Sequence, residues 1–241
     1  MYPRICIQPS ISAGNPTPVL WSEIEFAMKQ PQIQNICDQI KLLDGKDHDE
    51  LSRLKRQLPV ITPHACRFDN DGTRKSANAV PSGLVMLYID HIDDPRDFFS
   101  THIFPNIPPS GGNEGGLYFV AITPSGHGLR IIAERNAGES IPDAQLRIAP
   151  ACNISEYDGV TTDLARASFL MPWSYVLYCE PSGLDFTNEA HLHKITATCQ
   201  VPAVPTDGDP AFTPYTLHPT PAEGAQPAQS AHNIGEADTT L

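Results

Sequence analysis

The stretch SGLVMLYIDHIDDP, residues 82–95, decides the fold class. Its first half is an apolar, β-rich run that predicts a strand, and Asp94 before a proline favours the start of a helix. Two more strands are predicted from GLYFVAIT (116–123) and LRIIAE (129–134), and a fourth from SYVLYC (174–179). The order strand, helix, hairpin, short helix and strand predicts an α+β domain with a mixed or antiparallel sheet.

Three helices are predicted ahead of this stretch. The segment VLWSEIEFAMKQ (19–30) carries apolar residues on one face, with Ser22 available as its cap, and Pro31 is expected to end or break that helix. The pattern resumes in IQNICDQIKLL (33–43). The segment DHDELSRLKRQ (47–57) opens on acids and closes on bases, as the helix dipole favours.

The distribution of charge and proline divides the chain near residue 200. The whole sequence has 28 acids, 16 Lys and Arg residues and 24 prolines, with a net charge of −12. Seven prolines, five acids and no Lys or Arg fall in residues 200–241, which predicts a disordered acidic tail. The domain is predicted to span residues 20–199, with residues 1–19 as an N-terminal extension. Because bulk binding of nucleic acid needs clustered cations, any contact with nucleic acid has to be local.

Several classes of protein are not expected from this sequence. No apolar run approaches the roughly 18 to 20 residues of a membrane-spanning helix, and the first ten residues lack the pattern of a secretory signal. A cytoplasmic protein with no membrane partner is therefore predicted. The six cysteines have no C-x-x-C pair, which indicates reduced, mostly buried thiols rather than a zinc cage or a disulfide framework.

A basic stretch, residues 53–75, stands out in the acidic chain. Two interpretations are open: a surface that faces an anion such as nucleic acid, or a solvated helix end followed by a loop. Its six bases are Arg53, Lys55, Arg56, Arg67, Arg74 and Lys75.

Acidic residues follow the first predicted strand. Tyr88 and Asp90 share one face of that strand, and Asp90 emerges at its end. A carboxylate there can ligate Mg²⁺ or Mn²⁺, so Asp90 is the better metal candidate. Asp93 and Asp94 either add ligands or only cap the following helix.

The turn inside the predicted hairpin is rich in glycine. Gly126 and Gly128 flank His127 and permit a tight turn whose backbone N–H groups can face phosphate oxygens, and Ser125 adds a hydroxyl. Arg130, just inside the next strand, has the planar fork that suits phosphate. The same pattern also forms ordinary hairpin turns, so a purely structural role stays open.

A third segment carries Asp158, Asp163 and Arg166. Asp163 and Arg166 are spaced for a structural ion pair, whereas Asp158 has no such obvious partner. An acid, a glycine-rich turn and a second acid, in this order, are what template-directed nucleotidyl transfer needs. Two carboxylates hold the metal ions, and a cradle of amides and bases positions the triphosphate.

These segments together resemble a known family. The succession KRQLPVITPHACRF, SGLVMLYIDHIDDP, TPSGHGLRIIAE and D-x4-D-L-A-R-A-S-F-L is similar to the VirE-type N-terminal domain, over about residues 20–185. This is a primase-polymerase-like domain of mobile elements and phages of Bacteroides, and it looks like a divergent member of the archaeo-eukaryotic primase superfamily. The resemblance implies an RRM-like palm, dependence on Mg²⁺ or Mn²⁺, and a role in replicating or priming mobile DNA.

The resemblance also implies roles for individual residues. The catalytic, metal-binding acids it implies are Asp90 and Asp158, with Asp93 or His91 as a substitute ligand. The nucleotide-binding residues it implies are Ser125, Gly126, His127, Gly128, Arg130 and Arg166. The chain departs from the family at Tyr88, where the first acid of motif one is expected, and a neutral phenol is a poor Mg²⁺ ligand.

The Tyr88 departure leaves two functions open. The first is a primase-like nucleotidyltransferase whose template lies on the basic stretch. The second is a catalytically inactive module that binds nucleotide or single-stranded nucleic acid and serves a separately encoded replication helicase. A third alternative is an α+β interaction domain in which the turn and the acids are structural.

Overall fold

Helices and strands alternate along the chain much as its apolar pattern predicts. The structure is a computed structural model that describes residues 1–43, 46–107, 116–159 and 162–198. Its strands are β1 (Tyr2–Pro3), β2 (Ile5–Gln8), β3 (Thr17–Val19), β4 (Val60–Thr62), β5 (Ala65–Phe68), β6 (Ala79–Pro81), β7 (Leu84–Ile89), β8 (Leu117–Ile122), β9 (Leu129–Glu134), β10 (Ser168–Phe169), β11 (Val176–Cys179) and β12 (Asp185–Phe186). Its helices are α1 (Trp21–Met28), α2 (Pro31–Leu43), α3 (His48–Lys55), α4 (Pro95–Phe98), α5 (Ile141–Ala151) and α6 (Glu189–Thr198). The α+β class is confirmed, and the predicted tail, residues 200–241, lies outside the described residues.

The central sheet has the order β11-β8-β9-β7 and is antiparallel throughout. Its chain order of strand, helix, hairpin, helix and strand is that of a split βαβ unit. The last strand, β11, pairs with β8, so β7 lies at an edge of the sheet. β7 and β9 are nearly continuous apolar runs because both faces of the sheet are covered. On one face, the ring of Trp21 in α1 packs edge-on against Phe119 of β8, with centroids 5.2 Å apart.

The structure differs from the sequence prediction at the N-terminus. Residues 1–19, expected to be an extension, supply β2 and β3 to a second antiparallel sheet of order β10-β4-β2-β3. Ile5 and Cys6 of β2 are buried. β2 and β3 are only four and three residues long, and β2 also pairs with the distant β4, so no local alternation of apolar and polar residues predicts them.

The three predicted N-terminal helices are present with changed boundaries. The predicted cap at Ser22 is wrong, because α1 begins after Leu20, whose N–H donates to the Glu23 side chain at 2.9 Å. α1 ends at Met28, ahead of Pro31 as predicted, and Pro31 itself opens α2, a position where a missing N–H costs nothing. Asp47 caps α3 by accepting from the N–H of Glu50 at 2.9 Å.

Two other expectations are met in the described chain. The cysteines there are free thiols, as predicted, and all except the half-buried Cys179 are buried. None of the described helices is long and apolar enough to cross a membrane.

Candidate functional site

The end of β7 and the turn between β8 and β9 are in direct contact. The N–H of Ile92 donates to the carbonyl oxygen of His127 at 3.0 Å. A Cβ built on Gly128 would lie 2.6 Å from the carbonyl oxygen of Ile89 and 3.0 Å from Oδ1 of Asp90. Only glycine permits this close approach, so Gly128 brings the Asp90 carboxylate to the turn.

A cavity of about 450 Å³ opens where these two segments meet. It joins a strand-end acid to the predicted phosphate-binding turn, which the sequence placed more than 30 residues apart. Its lining residues are Asp90, His91, Ile92, Asp93, Ser125 and His127. Of the predicted site residues, the structure therefore brings Asp90, Asp93, Ser125 and His127 together.

The glycine-rich turn uses part of its backbone to hold itself closed. The N–H of Gly126 donates to the carbonyl oxygen of Thr123, and the N–H of Thr123 donates to that of Gly128, both at 2.9 Å. Gly126 has φ +90°, which glycine adopts without strain. The N–H of Gly126 is thus not directed at a ligand, and the polar side chains that the turn presents to the cavity are those of Ser125 and His127.

A second cavity, of about 440 Å³, adjoins the first on the side of α4. Asp90, His91 and Asp93 line both cavities. Asp94, which the sequence left open as ligand or cap, caps α4 by accepting from two backbone N–H groups at 3.0 and 3.1 Å. Asp90 and Asp93 are the exposed carboxylates that line the first cavity, and the second cavity adds those of Asp94, Asp97 and Glu156.

The predicted metal-binding set is assembled only in part. Asp90 and Asp93 supply oxygen ligands on one cavity, which fits a single Mg²⁺ shared with a phosphate. Across the ranges that the structure describes, no three His, Cys, Asp or Glu side chains are grouped to hold a metal ion. Of the three acids predicted as metal ligands, Asp90 and Asp93 share a cavity and Asp158 lines neither cavity, and Mg²⁺ or Mn²⁺ binding stays a prediction.

Tyr88 and Asp158 meet at the open edge of β7. The N–H of Asp158 donates to the carbonyl oxygen of Tyr88 at 2.9 Å, so the segment after α5 runs along this edge. The Tyr88 hydroxyl forms a hydrogen bond with Oγ of Ser168, which is buried. The Tyr88 side chain therefore makes internal contacts at the position where the resemblance predicts an acid.

Arg130 lies in the interior instead of lining the cavity. It is directly opposite Tyr88 in the β7–β9 ladder and 1% exposed, with its guanidinium carbon 5.4 Å from the centroid of the Tyr88 ring. It donates to the carbonyl oxygen of Phe169 at 2.5 Å, and burial lowers its pKa. The structure thus places the guanidinium group of Arg130, which was predicted to bind phosphate, beneath the Tyr88 ring and outside the cavity lined by Ser125 and His127.

The segment around Arg166 is held to β7 by a buried histidine that the sequence did not reveal. Nδ1 of His64 lies 2.9 Å from the carbonyl oxygen of Asp163, and Nε2 accepts from the N–H of Met86 at 2.9 Å. Burial lowers the pKa of His64 to about 4. Asp163 caps its own loop by accepting from the N–H of Ala165 at 2.9 Å, and Arg166 is exposed outside the cavity.

The basic stretch is less available than its sequence indicates. Three of its cations lie beside carboxylates: Arg53 with Glu50, Arg67 with Asp69, and Lys75 with Asp71. A fourth, Arg74, donates to Oε1 of Gln8 and to the carbonyl oxygens of Ile11 and Ala165, each at 3.1 Å. Lys55 and Arg56 are in no ion pair with the described carboxylates.

Sequence reasoning missed Lys41, which contacts the turn from α2. A Cβ built on Gly126 would lie 2.9 Å from Cε of Lys41. The Nζ of Lys41 lies 4.3 Å from the centroid of the Tyr175 ring. A cation in the last turn of a helix is common because the helix dipole favours it. The type and position of this residue therefore did not indicate a role in the site.

Comparison with known proteins adds no relative to this picture. No family model, no curated protein and no solved structure matches the chain. The resemblance to the VirE-type N-terminal domain stays a prediction from sequence, and function has to be inferred from the geometry.

Proposed function

We propose that this chain is a primase-polymerase-like domain of a mobile element or phage that binds a nucleotide, and that it transfers nucleotides weakly or not at all. The observation that carries the binding proposal is the approach of Gly128 to Asp90, which puts Asp90, Ser125 and His127 on one cavity. Ser125 and His127 supply hydrogen-bonding groups for phosphate oxygens. Asp90 can accept from a ribose hydroxyl or, with Asp93, hold one Mg²⁺ that offsets phosphate charge.

Tyr88 argues against efficient nucleotidyl transfer. Two-metal catalysis needs carboxylates that bridge both ions, and the phenol here is bonded to Ser168 and packed against Arg130. The proposal therefore keeps nucleotide binding and assigns no catalytic step to this site.

The binding proposal is tested by titrating the full chain with a fluorescent nucleoside triphosphate, with and without Mg²⁺. In the presence of Mg²⁺ we expect Asp90→Asn to weaken binding at least tenfold, because a carboxylate that holds the ion is lost while the side-chain shape is kept. Asp69→Asn is the matched control, since Asp69 is exposed and contacts only the basic stretch through Arg67. Equal affinities of wild type and Asp90→Asn, or no binding at all, would contradict the proposal.

A second candidate is an active primase-like nucleotidyltransferase. The hydrogen bond from the Asp158 N–H to the Tyr88 carbonyl oxygen favours it, because it brings the backbone of this predicted catalytic acid to β7, the strand that Asp90 follows. The test is incorporation of labelled nucleotides on single-stranded templates with Mg²⁺ or Mn²⁺. Product that disappears in Asp90→Ala and Asp158→Ala would establish this candidate, and absence of product in the wild type would exclude it.

Binding of single-stranded nucleic acid and of a replication helicase follows from the resemblance and from the basic stretch. Lys55 and Arg56 would carry the nucleic-acid contact, because the other four cations already have partners. Charge reversal of Lys55 and Arg56 should abolish salt-dependent single-strand binding. Unchanged binding by that double variant would remove nucleic acid from the proposed partners.

A further inference from the structure

We propose that Lys41 of α2 is a phosphate-binding residue of the nucleotide site, supplied from outside the hairpin. This inference rests on the proposed function and deepens it, because it names the cation that the site needs. The cavity is lined by the exposed carboxylates of Asp90 and Asp93, which repel a phosphate. The cation predicted for this purpose, Arg130, lies in the interior.

The stem of Lys41 lies across the turn. A Cβ built on Gly126 would be 2.9 Å from Cε of Lys41, 3.6 Å from Cγ and 3.7 Å from Cδ. The missing side chain at position 126 thus makes room for three methylene groups of the lysine. Gly126 serves two purposes here: its positive φ forms the turn, and its lack of a Cβ admits Lys41.

The ammonium group of Lys41 lies over the ring of Tyr175 and is not paired with any of the described carboxylates. Nζ is 4.3 Å from the centroid of Tyr175, a contact that orients an ammonium group while leaving its hydrogen-bond donors available. Among the described residues, no Asp or Glu forms an ion pair with Lys41. Tyr175 is only 4% exposed, so the ring under the ammonium group is held in place by the core.

The position of Lys41 is fixed by the helix that carries it. One face of α2 is buried in the core, with Ile36, Cys37 and Ile40 at most 5% exposed. Lys41 follows Ile40 directly, so its Cα cannot move without disturbing that packing. A cation anchored in this way costs less entropy on binding phosphate than a freely moving surface lysine.

The ligand chemistry that fits is the terminal phosphates of a nucleoside triphosphate. The test compares two probes, pyrophosphate and a fluorescent nucleoside triphosphate, on the full chain. In Lys41→Met, which keeps the stem and removes the charge, we expect at least tenfold weaker binding of both. Lys41→Arg should restore most of the affinity.

The matched control is Lys29→Met. Lys29 also lies over an aromatic ring, with Nζ 4.9 Å from the centroid of Trp173, but it is paired with Glu25. We expect this variant to bind both probes like the wild type. Circular dichroism and thermal melting check that each variant is folded before binding is compared.

The outcomes separate the inference from the proposed function. If the wild type binds both probes and Lys41→Met binds them equally well, the role of Lys41 is overturned and the nucleotide site stands. If pyrophosphate binds in a Lys41-dependent way and the nucleotide does not, the phosphate site stands and the proposed function is overturned. If neither probe binds, both are overturned.

Discussion

The backbone N–H of Asp158 donates a 2.9 Å hydrogen bond to the carbonyl oxygen of Tyr88. Because β7 is an edge strand, its outward carbonyl groups need a partner, and the segment that follows α5 supplies one here. The bond places Asp158 beside the strand that carries Asp90 two residues later. The same contact therefore covers the edge of the sheet and fixes the backbone of Asp158 next to that of Tyr88.

The first prediction concerns Tyr88 as a structural residue. Tyr88→Phe leaves the buried Ser168 hydroxyl without its partner, so we expect the free energy of unfolding to fall by about 1–2 kcal/mol. Urea denaturation measures the change, with Tyr2→Phe, on the exposed β1, as the control. Nucleotide affinity should not change, and a loss of affinity at unchanged stability would instead make the hydroxyl a ligand.

His64 predicts how stability depends on pH. Its pKa is about 4 in the fold and about 6.5 in the unfolded chain, so only the unfolded state takes up a proton between these values. Stability from this group is complete above pH 6.5 and falls by up to about 3 kcal/mol as the pH drops to 4.

The test of this dependence is His64→Gln. We expect the variant to lose the steep part of the curve of unfolding free energy against pH between pH 6.5 and 4. His48→Gln, at the exposed start of α3, should keep the wild-type slope. Parallel curves for wild type and His64→Gln would mean that another group titrates.

A further prediction is that substitution of Gly128 lowers both the free energy of unfolding and the affinity for nucleotide. In Gly128→Ala the new Cβ would meet the Ile89 carbonyl oxygen at 2.6 Å, so the turn must move away from β7. We expect a loss of about 1–3 kcal/mol in unfolding free energy and weaker nucleotide binding, because Asp90 and Ser125 separate. Gly159→Ala is the control, since a Cβ there meets nothing within 4 Å. Full nucleotide affinity in Gly128→Ala would show that this contact does not shape the site.

The contacts of Arg74 predict that this member of the basic stretch stabilises the fold. Arg74→Ala removes three hydrogen bonds that tie the stretch to Gln8, Ile11 and Ala165, and we expect the free energy of unfolding to fall by about 2–4 kcal/mol. Arg56→Ala, at an exposed position, should change stability by less than about 0.5 kcal/mol. Thermal or urea unfolding of the two variants gives the comparison, and equal stability would contradict the assignment.

Much of the central sheet was predictable because its strands are covered on both faces. Apolar runs such as Leu84–Ile89 and residues 131–133 of β9 mark buried strands wherever they pair. The second sheet was not predictable. Its strands β2, β3, β4 and β10 are short, and the pairings β2–β4 and β4–β10 join segments that are far apart in the chain.

The candidate site shows the same division. Asp90, Ser125 and His127 were found because acids at strand ends and glycine-rich turns follow local rules, and the structure gathers them on one cavity. Lys41 was missed because its contact with Gly126 spans 85 residues of sequence. Arg130 was assigned to phosphate because its side-chain chemistry fits, but the register of β7 against β9 turns it under Tyr88.

By itself, the sequence determined the α+β class, most of the helices, the strands of the central sheet and the residue types available for chemistry. Local spacing is enough for these, since it sets which residues share a face and which backbone conformations are allowed. Only the tertiary structure decided which acids approach the turn, which bases keep a free charge and what Tyr88 contacts. Those outcomes depend on strand register and on contacts between segments far apart in the chain, which no local pattern encodes.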